Sequence, residues 1–188
     1  RLIGHRIKSL KKKLDKAHNH KEVNRYARRK GKEMVVALVG YTNAGKTTLF
    51  NYLTENDLYA ANKPFATLDS VTRKNSQPEL KHILFSDTVG FISNLPTQLV
   101  ESFKATLDDL SSADLLLHVV DISDKDHRFK VKEVEKILKE LGLSDKPVIR
   151  VNNKCDKLDI TRLEDLSKNC KDQVWLSSKT YKGFQSLF

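Results

Sequence analysis

The sequence predicts an α/β domain: a mostly parallel sheet with one antiparallel strand, helices on both faces, and a basic helical extension in front. Three observations predict it. Short apolar runs at 34–39, 114–121 and 147–151 read as strands buried on both faces, where a half-wetted sheet would show alternation. Between such runs, apolar residues recur every three or four positions, as on helices with one buried face. Finally, polar motifs stand directly after the apolar runs, at one edge of a parallel sheet, where folds of this kind bind ligands.

The first motif follows Met34 to Val39. Gly40, Tyr41, Thr42, Asn43, Ala44, Gly45, Lys46, Thr47 and Thr48 fit G-x-x-x-x-G-K-[ST], a phosphate-binding P-loop. Glycines let the backbone curl so that successive N–H groups converge, and the helix starting beside Lys46 adds its positive end. Lys46 would reach the β and γ phosphates, and the Thr47 hydroxyl would be a hard oxygen ligand for Mg²⁺. A glycine-rich turn with an exposed lysine would share these letters. The strand before it and the apolar face of Leu49, Phe50 and Leu53 after it are the context a P-loop requires.

Glu55 to Val71, with Pro64 in the middle, reads as a long loop carrying Phe65, Ala66, Thr67, Leu68 and Asp69, and loops of that length in compact domains are usually functional. Thr72 to Gln77 and Leu80 to Ser86 read as an antiparallel pair joined at Pro78-Glu79. The second strand delivers Asp87, Thr88, Val89 and Gly90, a D-x-x-G placed 41 residues after Lys46. Its aspartate can hold Mg²⁺ through a water, and its glycine N–H can bond a γ-phosphate.

Leu99, Phe103, Leu107 and Leu110 predict a helix over 97–110, Asp114 to Asp121 a strand, Phe129 to Leu141 a helix stopped at Gly142, and Pro147 to Val151 another parallel strand. His118, in the apolar strand, reads as a core histidine. The last strand runs into Asn153, Lys154, Cys155 and Asp156, an N-K-x-D. Guanine presents N1–H and N2–H₂ as adjacent donors that one carboxylate, here Asp156, accepts together, while Asn153 bonds the purine's other edge and the Lys154 stem covers the ring. Adenine lacks that donor pair, so such a site disfavours ATP. Gln173 to Leu176 reads as a short final strand, and Ser177, Ser178 and Lys179 follow where a backbone N–H can bond the base carbonyl.

Charge divides the chain. Residues 1–33 hold 13 Lys/Arg against 3 Asp/Glu, whereas residues 34–188 hold 21 against 21, so the net +10 resides in the first segment. Ile3, Ile7, Leu10, Leu14 and Ala17 make that segment an amphipathic helix. Its charge fits a polyanionic partner, and equally a solvated helix face. The domain boundary is therefore expected near Gly31 to Glu33, with 1–33 as the end of a further domain and 34–188 as a nucleotide-binding domain incomplete at its C-terminus. No apolar run reaches membrane-span length and no signal peptide opens the chain, which makes a cytoplasmic protein the simplest expectation. Cys155 and Cys170 match no zinc or disulfide pattern.

With these residues together, the chain resembles the translation-associated P-loop GTPases, and within them the HflX family, over roughly Met34 to Lys179. The resemblance rests on Gly40 to Asn51, Phe65 to Asp69, Asp87 to Ile92 and Ala113 to Asp121, and on the basic arm before the G domain. It implies GTP and GDP as substrate and product, Mg²⁺ held by Thr47, Thr67 and Asp87, and catalysis involving Lys46, Thr67, Gly90 and Asn43. It also implies the ribosome, chiefly its large subunit, as partner, ribosome splitting or rescue as the setting, and a monomer. Thr47 stands where the family usually has Ser, Ser70-Val71 where Pro-Thr is common, and Ser178 where Ala is common; all three leave nucleotide binding intact.

Phe91 follows the D-x-x-G where switch GTPases carry the glutamine that orients the attacking water, so slow intrinsic hydrolysis is expected. Asn43 occupies the P-loop place that holds K⁺ in potassium-activated GTPases, and a simple turn role accounts for it as well. Two other readings stay open: a nucleotide-regulated RNA-binding or scaffold protein, and an ATP-dependent RNA-remodelling enzyme.

Overall fold

The computed structural model describes residues 33–55, 71–77, 80–88, 110–168, 170 and 173–187. Contacts divide the chain into two units, Arg1–Glu33 and Met34–Phe188. The described part of the second unit is a six-stranded sheet. Its strands are β1 (Met34–Val39), β2 (Val71–Lys74), β3 (Ile83–Asp87), β4 (Leu115–Asp121), β5 (Val148–Asn153) and β6 (Val174–Trp175), in spatial order β2-β3-β1-β4-β5-β6. β2 is antiparallel to β3, and every other pair is parallel. The predicted fold class is therefore the observed one.

Pleating explains why β1 is apolar throughout. Val36 and Leu38 point to one face, where they join Leu49, Phe50 and Leu53 of α1 (Lys46–Thr54), Phe85, Leu117, Val119 and Val151. Val35, Ala37 and Val39 point to the other, where Leu84, Leu110 and Leu116 meet Val134 and Leu138 of α2 (His127–Glu140). Each apolar side chain fully buried in these layers stabilises the fold by roughly 1.5–3 kcal/mol. The strand between two helical layers cannot alternate, because neither side meets water.

Several boundaries differ from the sequence expectation. β2 ends at Lys74 and β3 starts at Ile83, so the connection spans 75–82. Asn75 is the reason: its side-chain oxygen accepts the Gln77 N–H at 2.7 Å and Ser76 N–H bonds the Leu53 carbonyl at 3.1 Å, turning the chain away from the ladder. β5 runs on through Asn152 and Asn153, both 1% exposed, because Val120 and Asp121 of β4 pair with them. β6 has two residues in place of the four expected. α2 starts two residues early and ends one residue early at Glu140, with Leu143 N–H closing onto the Leu138 carbonyl at 2.9 Å around Gly142 at φ 69°, the expected stop. Of the helix expected at 97–110, only Leu110 lies among the described residues, and it is helical and fully buried. The expected arm helix at 1–33 and loop at 55–71, apart from its described ends, lie outside the described residues.

His118 is 3% exposed on β4, and burial, reinforced by Arg150 and Lys46, holds its pKa down at about 4. It is a neutral core residue, as its apolar neighbours suggested. Among the described residues, no helix is long and apolar enough to cross a membrane.

Candidate functional site

The C-terminal ends of β1, β3, β4 and β5 meet at one edge of the sheet, and the motifs converge there. Gly40 leaves β1 at φ 150° and passes so close to β4 that a Cβ would lie 2.3 Å from the Val119 carbonyl oxygen. Gly45, at φ 96°, caps α1 in the left-handed region, where a Cβ would lie 2.3 Å from Nδ2 of Asn153. Both positions need glycine for conformation and for space. Between them the loop presents its backbone around the start of α1.

Lys46 is 6% exposed, and its ammonium donates to the carbonyls of Gly40 at 3.1 Å and Tyr41 at 3.0 Å. Burial lowers its pKa from 10.5 to about 8, and the charge of Asp87 partly offsets this. Phosphate oxygens would favour the charged form. Nucleotide binding above pH 8 must then take up a proton, so GTP affinity is expected to fall as pH rises past 8, approaching tenfold per pH unit. Titrations of GTP at several pH values check this; a flat profile from pH 7 to 9 would contradict it. The linked effect on the unliganded fold has the opposite sign: with the folded pKa below the unfolded one, stability rises between pH 8 and 10.5.

Thr47 donates its hydroxyl to Oδ2 of the fully buried Asp87 at 2.8 Å, and Thr88 donates to the Leu38 carbonyl at 2.5 Å, fastening β3's end to β1. Two hard oxygen groups thus face each other across the P-loop. Among the described residues no group of three or more His, Cys, Asp or Glu forms a metal cluster. Mg²⁺ requires none, since it keeps most of its waters and takes one or two protein oxygens beside phosphate. The Thr47–Asp87 pair fits that ion. Thr67, Phe65, Ala66, Leu68, Asp69, Val89 and Gly90 lie outside the described residues.

Asn153 joins the two halves of the site. Its Nδ2 donates to the Ala44 carbonyl at 2.9 Å, and its Oδ1 accepts from Ser178 N–H at 2.9 Å and Ser178 Oγ at 3.0 Å. The side chain expected on the purine edge is therefore first a tether between the P-loop and the 177–179 turn, with one amide hydrogen left for a base. Ser178 N–H is likewise engaged, since it donates to the Asn153 Oδ1. Lys154 sits at φ 65°, donating to the Asn43 carbonyl at 2.8 Å and pairing with Asp121 at 2.7 Å, so its stem lies across the loop. Asp156 is exposed at the edge and held by Ser177 Oγ at 2.5 Å. Cys155 donates its thiol to the Asn152 carbonyl, and burial raises its pKa to about 11, which makes it an inert spacer.

Two supports were not read from the sequence. Asp121, the last residue of β4, anchors Lys154; its place at the end of a buried parallel strand was the available signal. Lys130 of α2 lies 5.1 Å from the Tyr41 ring centroid and is bonded to Asp124, pinning the P-loop tyrosine from behind. That hydrogen bond lowers the Asp124 pKa and raises that of Lys130. Nothing in the sequence spacing links these three.

A P-loop, an acidic strand end and a carboxylate after N-K, gathered at one edge of this sheet order, define the nucleotide-binding domain of a P-loop GTPase. Comparisons with known proteins agree. The family described as 50S ribosome-binding GTPase matches residues 35–154. GTPase HflX of Caldanaerobacter subterraneus is 46% identical over 187 residues, covering 100% of this chain and 42% of that protein. GTPase HflX of Escherichia coli is 40% identical over 190 residues, covering 100% and 45%. Among solved structures, a variant of SsGBP superposes with TM-score 0.61 at 28% identity, over 86% of this chain and 54% of that one. Aquifex aeolicus Era, in a crystal structure bound to GDP·AlF₄⁻, superposes with TM-score 0.63 at 24% identity, over 81% and 54%, a likeness of fold. The chain belongs to the 50S ribosome-binding GTPases, and among them to the HflX family. It spans under half the length of these curated relatives.

Proposed function

We propose that this chain is the Mg²⁺-dependent GTP-binding and GTP-hydrolysing switch of a cytoplasmic protein that works on the large ribosomal subunit, in ribosome splitting or rescue. The observation that carries the nucleotide half is the Thr47 to Asp87 hydrogen bond at 2.8 Å, which sets the P-loop hydroxyl against the buried carboxylate where a phosphate-bound Mg²⁺ would lie. The family match over 35–154 supports the ribosomal half. When bound, Mg²⁺ neutralises charge developing on the phosphates. Lys46 would follow the phosphates from its present hold on the Gly40 and Tyr41 carbonyls, Thr67 would complete the metal shell, and the Gly90 N–H would bond the γ-phosphate. An unassisted switch that has the water-orienting glutamine turns over at only about 10⁻⁴ s⁻¹, and with Phe91 after Gly90 in its place the isolated protein is expected to be no faster.

Asn43 is exposed on the P-loop and, among the described residues, is held through its backbone carbonyl by Lys154, so that its side chain is placed to help hold K⁺ beside the phosphates. GTP turnover by this chain and by its full-length parent, with and without large subunits and in K⁺ or Na⁺ buffer, tests these points together. Stimulation of the parent by large subunits and faster turnover in K⁺ are the expected results. No stimulation of either protein would favour the scaffold reading, and equal rates in the two salts would remove K⁺.

A further inference from the structure

On the sheet face opposite α1, α2 and α3 (Ile160–Lys168) leave a cavity of about 330 Å³ between them, floored by β4, β5 and β6. It is separate from the P-loop and within the range of roughly 300–1,000 Å³ typical of ligand sites. α3 buries none of its residues fully, and Leu166 is its contribution to the cavity wall. The chemistry of its wall is specific. Trp175 contributes an indole whose N–H is already directed to the Cys170 carbonyl at 3.5 Å, so what it offers the cavity is its ring. Beside it, Asn152 donates to the side-chain oxygen of Gln173 at 2.8 Å, which leaves the Gln173 NH₂ for an acceptor on a ligand. On the rim, Arg150 is paired with Glu135 at 3.2 Å, whereas Arg128 and Lys132, both exposed on α2, have no ion-pair partner among the described residues.

A flat aromatic wall, an amide donor at its edge and two exposed cations without an ion-pair partner among the described residues match an unpaired nucleotide with its phosphate. We propose that this groove is an RNA-binding site that takes an unpaired base of a single-stranded segment against Trp175 and its backbone phosphates on Arg128 and Lys132. The site stands beside the ribosome reading and does not depend on it, since it is measured on the protein alone.

Trp175 is the chain's single tryptophan, so its fluorescence reports occupancy directly. The protein is saturated with GDP to close the P-loop site, then titrated with a short oligouridylate or with UMP. A saturable change in emission with the oligomer is expected, at concentrations far below those UMP needs. The double variant Arg128→Glu with Lys132→Glu should weaken it about tenfold or more and lower the salt slope by roughly two, with GDP affinity unchanged. Should the double variant lose GDP binding, Lys132→Glu alone carries the comparison. No change in emission, or one insensitive to the charge reversals, would place RNA binding elsewhere, such as the basic arm. Equal response to UMP would make the groove a free-nucleotide pocket. Either result overturns the proposal.

Discussion

Replacing Lys46 with Ala should lower GTP affinity by about 10²–10⁴-fold while leaving the domain folded. The ammonium is aimed at the phosphate side of the loop and now rests on the Gly40 and Tyr41 carbonyls. Bonds to two phosphates are charge-assisted, each contributing roughly 1.5–3 kcal/mol, and the substitution removes both. The cost to the fold is small by comparison, because a buried charged lysine is itself unfavourable and the carbonyls it releases lie in the P-loop. Binding of a fluorescent GTP analogue, with a thermal melt as the folding control, measures the effect. A folded variant within tenfold of the parent would remove Lys46 from the site.

Exchanging Asp156 for Asn should abolish the preference for guanine. The carboxylate stands at the exposed edge of the site, held in place by Ser177 Oγ. Guanine's N1–H and N2–H₂ need two acceptor lone-pair sites on one group, and an amide supplies an oxygen and a donor NH₂. One bond is lost and one donor is set against a donor, which costs roughly 3–6 kcal/mol, or about 10²–10⁴ in GTP affinity. Xanthosine triphosphate, with a carbonyl where guanine has its amino group, should gain by the same exchange, and ATP should change little. Competition among the three nucleotides decides it. An unaltered GTP-to-ATP ratio would show that discrimination resides elsewhere at this edge.

Much of this site was legible because each motif is local. A P-loop needs glycine at Gly40 and Gly45, a lysine and a hydroxyl in consecutive positions, since the chain must curl over a phosphate within a few residues. The Asp87 and Asp156 motifs are likewise short, and each follows an apolar strand that any reader of periodicity can find. The mostly parallel sheet with one antiparallel strand was legible for the same reason, because buried strands alternating with amphipathic helices have few ways to pack, whereas the order of the strands came from the structure. Strand ends were less so. Asn152 and Asn153 look like loop residues, and only pairing with Val120 and Asp121 draws them into β5.

By itself, then, the sequence determined the fold class and pointed to a purine and phosphate chemistry with the residues expected to serve it, all of which follow from short-range rules of sterics and hydrogen bonding. The tertiary structure alone decided how those residues are held. Asn153 reaches Ala44 across 109 positions, Lys154 meets Asp121, and Lys130 lies over Tyr41, contacts between segments that no spacing connects. The lowered pKa of Lys46 and the groove beside Trp175 belong to the same level, since desolvation and enclosure arise only when separate elements close around a point.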